Sequence, residues 1–160
     1  MMKRISIVFL QAVIVLIGIV TLTLLIWTPL TEGRATNLDV FSIYFDPFIL
    51  YVYVASIAFF VILYNAFMLL NYIGQQRVFS SSAIKNLRRI KYCAIVLSIL
   101  IIMAGLYIRL SHNLDDDPAG FLAICALTVF VAIIIATTAN VFEMIVQHVV
   151  AKKAENDLSN

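Results

Sequence analysis

The sequence predicts an all-α membrane protein, a four-transmembrane-helix up-down-up-down bundle with cytoplasmic helical extensions and both termini cytoplasmic. Three observations predict it. Hydrophobic residues make up 63% of the chain and charged residues 12%, whereas a soluble domain is about half apolar and about a quarter charged. A soluble fold of this length could not hide so much apolar surface, so lipid is the expected solvent. Four segments each reach the roughly 20 apolar residues needed to cross the hydrocarbon. Nine of the eleven Lys and Arg residues then fall on one side of those segments. The spans must be helices, because an open sheet edge in lipid leaves backbone groups unpaired.

The first span covers about residues 5–30 and is expected to stop at Pro29. Lys3 and Arg4 before an apolar run resemble a secretory signal, but the run continues to Trp27. That exceeds the roughly 7–15 residues of a signal core, and no small-x-small cleavage site follows. The segment is expected to be a retained helix. The second span, about 47–73, is entered through Asp46-Pro47 and ends near Gly74. The third covers about 92–110, and the fourth about 119–140, followed by a cytoplasmic amphipathic helix over about 141–158. Residues 1–160 form a single integral membrane domain, with short outer connections at 31–46 and 111–117.

Charge sets the orientation. Lys3 and Arg4 precede the first span. Arg77, Lys85, Arg88, Arg89 and Lys91 lie between the second and third, and Lys152 and Lys153 follow the fourth. Only Arg34 and Arg109 fall on the other side. The positive-inside rule places the basic side in the cytoplasm, at the inner face of the cell membrane. Tyr44, Tyr51, Tyr53, Trp27 and Tyr107 lie near the outer boundary, as an aromatic belt would.

The stretch "RVFSSSAIKNLRRIKY", residues 77–92, carries five of the eleven basic residues. Ser80 is placed to cap a helix by accepting from a free first-turn N–H. Phe79 and Ile84 have hydrophobic-staple spacing around that cap. Ile84, Leu87 and Ile90 form an apolar stripe, and nothing breaks the helix before Tyr92. One helix over 81–110 is therefore predicted, about 45 Å long. Lys85, Arg88 and Arg89 repel one another at i,i+3 and i,i+4. Anionic head groups offset this at about 1 kcal/mol per basic residue. The candidate lipid- and partner-contact residues are Arg77, Phe79, Ser80, Ile84, Lys85, Leu87, Arg88, Arg89 and Lys91. Direct nucleic-acid binding is excluded, because so short a loop builds no recognition fold. A phosphate cradle is disfavoured, since the stretch lacks glycine and a Walker pattern.

Past Asn140, Phe142, Ile145, Val146, Val149 and Val150 keep helical spacing. This apolar stripe can pack on the Ile84/Leu87/Ile90 stripe, or bind a cytoplasmic protein or a second copy of the chain. Ala132, Ala136 and Asn140 form a small or polar ridge suited to a close helix contact.

Membrane chemistry requires ionisable or nucleophilic clusters, and the sequence offers none. The first three spans contain no Asp or Glu, and Cys93 and Cys125 sit alone in apolar runs. His112 and His148 are predicted on opposite sides. Glu143 and His148 lie on different helix faces. Successive carboxylates at 115–117 point apart and read as outer-loop charges before Pro118. No catalytic, metal or cofactor site is expected, and the chain is read as a non-enzyme. Asn65, Asn140 and Glu143 are the candidate intramembrane polar residues, with Asn65 and Asn71 expected to hydrogen-bond across helices.

Two short motifs, Val78-Phe79-Ser80 opening the basic helix and Glu155-Asn156-Asp157-Leu158 near the end, carry a resemblance. The chain resembles the DUF2975 family, YoaS-like small bacterial four-span membrane proteins, over nearly its whole length. Family members often end in Asp-Leu-Thr-Ile where this chain has Asp157-Leu158-Ser159-Asn160, so the last two positions depart from the pattern. The resemblance implies a four-span fold. Its members' association with small helix-turn-helix regulators implies a membrane protein that senses for, or holds, a cytoplasmic regulator. The rival readings are a small transporter or channel subunit with Asn65 and Asn140 lining a path, and a membrane protein giving immunity to a peptide toxin.

Overall fold

The computed structural model describes residues 2–31, 47–110 and 119–158. They form four α-helices: α1 (Met2–Thr31), α2 (Pro47–Gly74), α3 (Ser81–Leu110) and α4 (Ala119–Leu158). Each contains a stretch long and apolar enough to cross a membrane. The expected Tyr44, Arg34, His112 and the carboxylates at 115–117 lie outside the described residues, as do Ser159 and Asn160.

α1 does not stop at Pro29 but continues to Thr31. Proline has no N–H to give the carbonyl four residues back, which here belongs to Leu25. Tyr53 of α2 donates its hydroxyl to that carbonyl instead, at 3.3 Å. A side chain of the neighbouring helix thus satisfies the acceptor that the sequence alone leaves empty.

α2 ends where predicted, but by an unpredicted device. Gly74 stays helical, and Gln76 takes the left-handed conformation, with φ 58°. The Arg77 N–H donates to Tyr72 O at 2.9 Å and the Gln76 N–H to Ile73 O at 3.2 Å. These are the two bonds of a Schellman cap, whose left-handed position is usually glycine. A side chain there costs roughly 1–2 kcal/mol. Gln76→Gly is therefore expected to stabilise the protein by about 1 kcal/mol, read as a higher melting temperature in detergent.

α3 begins as predicted. The Ala83 N–H donates to Ser80 Oγ at 3.3 Å, so Ser80 is the N-cap. Phe79, beside the cap, is 55% exposed. α3 runs unbroken for 30 residues and α4 for 40, making α4 about 60 Å long. The amphipathic tail expected beyond Asn140 is the continuation of α4 itself.

The helices alternate in direction and pack in chain order, with extensive seams between α1 and α2, α2 and α3, and α3 and α4. Added methyls at Gly18 and Gly74 would lie 3.8 Å from Leu63 Cδ1 and 3.7 Å from Ile7 Cδ1, which sets α1 antiparallel to α2. The α3–α4 seam is the most extensive. The core cluster joins Ile62 of α2, Leu87, Ile90, Ala94 and Leu97 of α3, and Ala139 and Val146 of α4. None of the described side chains of α1 belongs to it. The α1 surface is branched aliphatic on most sides, and lipid tails solvate such a surface as well as another helix does. Small residues let α3 and α4 approach closely: Ala94 is fully buried, and Ala132 and Ala139 nearly so.

At the opposite end from the basic stretch, Tyr51 donates to Leu100 O at 2.7 Å. Phe48 stacks on Tyr107 with centroids 6.2 Å apart. The expected aromatic layer thus also ties α2 to α3.

Candidate functional site

The site is a polar cluster on the α3–α4 seam, at the basic end. Glu143 is 4% exposed and holds two cations. Arg88 Nε lies 2.8 Å from its Oε1, and Lys91 Nζ lies 2.7 Å from its Oε2. Lys91 also donates to Asn140 Oδ1 at 3.2 Å, and Gln147 Nε2 to Glu143 Oε1 at 3.1 Å. The Lys91 ammonium lies 5.3 Å from the Tyr92 ring centroid. Helical periodicity builds both halves. Arg88 and Lys91 are i,i+3 on α3, while Asn140, Glu143 and Gln147 are i, i+3 and i+7 on α4, so each set shares a face.

Burying the Glu143 carboxylate is costly unless it is paired and hydrogen-bonded, and here both oxygens accept charge-assisted bonds. The cations differ in environment. The Lys91 side chain is 19% exposed and the Arg88 side chain 54%. The cluster is therefore a buried acid with one enclosed and one half-open cation, carrying one net positive charge.

The structure divides the sequence candidates. Leu87 is 4% exposed and Ile84 packs against the core. The Ile84/Leu87/Ile90 stripe therefore lies on the C-terminal half of α4, not on a free surface, because Val146 and Val150 meet it there. Glu143 draws the Lys91 ammonium into the cluster. Arg77, Phe79, Lys85 and Arg89 remain exposed, and Ser80 is the cap. Lys85 and Arg89 have no carboxylate partner among the described residues.

Asn65 corrects an expectation. It does not bond across helices; its Nδ2 donates to Val61 O of its own helix at 2.7 Å. Its Oδ1 is buried and unpartnered. Asn71 likewise accepts only locally, from Gln75 at 3.4 Å. An asparagine amide reaches its own i−4 carbonyl without needing a neighbour. Leucine is nearly isosteric and removes an unsatisfied acceptor, so Asn65→Leu is expected to be neutral or stabilising by about 1 kcal/mol. Thermal unfolding in detergent checks this; a substantial loss would mean the Asn65 amide makes a bond that matters. Asn65 bonds within α2, whereas Asn140 accepts from Lys91 across the α3–α4 seam.

Beside the cluster, along the α3–α4 seam, runs an open groove of about 370 Å³. Its lining includes Lys91 and Asn140 at one end and Ile95, Ile99 and Ile133 beyond. Among the described residues, no group of three or more His, Cys, Asp or Glu could hold a metal. Cys93 and Cys125 are free thiols. Every residue of the cluster except Gln147 is a candidate from the sequence, but their mutual pairing is not. The signal that could have found it is the matched charge: two cations on one face of α3 and the one acid on the facing side of α4.

Residues 29–159 match the family described as "Protein of unknown function (DUF2975)". The whole chain is similar to the "Uncharacterized membrane protein YoaS" of Bacillus subtilis (strain 168), at 35% identity over 161 residues, covering 99% of each chain. No solved structure gives a significant match.

Proposed function

The chain belongs to the DUF2975 family of membrane proteins, and on that premise we propose that it is a non-enzymatic sensor or regulatory protein whose basic end docks a cytoplasmic protein. In this reading both termini face the cytoplasm, following the charge bias. The observation that carries it is the contrast within the basic stretch. Its apolar stripe and Lys91 are engaged by α4, while Lys85 and Arg89 stand exposed without a carboxylate partner among the described residues. A rigid helix presenting unpaired cations suits an acidic protein surface, for which such charges set encounter rate and orientation. A helix-turn-helix regulator is the partner suggested by the family resemblance.

The test is co-purification from native membranes with wild type and with Lys85→Ala/Arg89→Ala, a pair outside the Glu143 cluster. The proposal expects a cytoplasmic protein retained by wild type and lost or strongly reduced with the variant. Recovery of no protein, or equal recovery by both, would overturn it.

A further inference from the structure

We propose that the groove on the α3–α4 seam binds one anionic phospholipid, with its phosphate at Arg88 and Lys91 and an acyl chain along Ile95, Ile99 and Ile133. This site is independent of the protein-docking reading.

The geometry has two parts. The Lys91–Asn140 hydrogen bond marks the polar end of the groove. From there the walls are mostly aliphatic, with Ile95 and Ile99 on α3 and Ile133 and Ala136 on α4, while the Ser98 and Thr137 hydroxyls donate to carbonyls of their own helices. Polar head and apolar chain are thus separated along the helix axes, as in a phospholipid. Lys91 and Asn140 also stand at the predicted limit of the third and fourth spans, the depth at which headgroup gives way to hydrocarbon.

Charge selects the class of lipid. Glu143 is a single carboxylate between two cations, so the cluster carries an excess positive charge. Arg88 engages Glu143 through Nε alone, leaving both terminal nitrogens without a partner among the described residues. Its side chain is half exposed and stands one turn before Lys91, which lines the groove, on the same helix face. A guanidinium fork matches phosphate oxygens in geometry as well as charge. Glu143 does not repel the phosphate strongly, because Arg88, Lys91 and Gln147 already occupy its oxygens. A free phosphate ion would use the cations but leave the isoleucine walls empty, and so is the poorer occupant.

The experiment uses the full chain, delipidated in detergent and offered phosphatidylglycerol or phosphatidylcholine with identical chains, with bound lipid counted by native mass spectrometry. One phosphatidylglycerol is expected to be retained in preference to phosphatidylcholine. Arg88→Gln is expected to weaken retention roughly fivefold, the effect of one basic group at an anionic surface. Thr137→Phe, which fills the groove and leaves every charge in place, is expected to weaken it several-fold as well. Phosphatidylglycerol with a photoreactive acyl chain tests wild type without substitution, and is expected to label residues 95–99 or 133–137. Equal retention of the two lipids, labelling elsewhere, or displacement by inorganic phosphate would overturn the proposal.

Discussion

Glu143→Ala is expected to destabilise the protein by about 2–4 kcal/mol. Removing one member of a buried ion pair typically costs about 3–5 kcal/mol, because the other charge is left unpaired. Here the loss is smaller for one partner and full for the other. Arg88 is half exposed and turns toward water or head groups when released. Lys91, only 19% exposed, keeps Asn140 but loses its counter-charge. Glu143→Gln preserves an acceptor and is expected to lose about half as much. Denaturant titration of the purified protein in mixed micelles reads both. Glu155→Ala serves as the control, since Glu155 is exposed on the same helix and its loss is expected to change little. Glu143→Ala with unchanged stability would show that the cluster does not hold the seam.

Leu87→Ala is the second large effect, at about 2–4 kcal/mol for a buried leucine whose site cannot fully collapse. Leu87 lies in the core between α2, α3 and α4, where Ile62, Ile90 and Val146 form the same cluster. It also precedes the span expected over about 92–110, so lipid tails are not expected to replace the lost contacts. Val146 and Val150 of α4 belong to or pack against this cluster, so trypsin is expected to cleave at Lys152 and Lys153 faster in the variant. Leu106→Ala is the comparison; Leu106 is 54% exposed and is expected to leave both stability and cleavage nearly unchanged.

Much of this architecture was legible because it follows from local rules. The four apolar runs set the helices. Ser80 is the cap its position predicts, and the Ile84/Leu87/Ile90 stripe is the packed face its spacing predicts. The Ala132–Ala136–Asn140 ridge anticipated the close α3–α4 contact. What escaped depends on neighbours. Pro29 reads as a helix stop until Tyr53 of another helix satisfies the Leu25 carbonyl. Gly74 reads as the end of its helix, yet it stays helical and Gln76 takes the left-handed position that closes it. The pairing of Arg88 and Lys91 with Glu143 needs the facing helix and its register. Periodicity shows which residues share a face, but not which helix that face meets. The two halves of the cluster lie at nearly the same distance along their helices from the connection between α3 and α4, a coincidence that acquires meaning only once the helices are known to be paired.

α3 and α4 pair in the register that brings Arg88 and Lys91 onto Glu143. Gly105 offers a direct measurement, because a Cβ at that position would lie 3.8 Å from Cys125 Cβ, the spacing of a disulfide. In native membranes, Gly105→Cys combined with Cys93→Ser is predicted to form an intramolecular disulfide with Cys125 under mild oxidation. A protease site placed in the 111–118 connection reads the result: after cleavage, the two halves stay joined until reductant is added. Halves that separate without reductant, or crosslinks that form only between chains, would contradict the register and the Arg88–Lys91–Glu143 cluster with it.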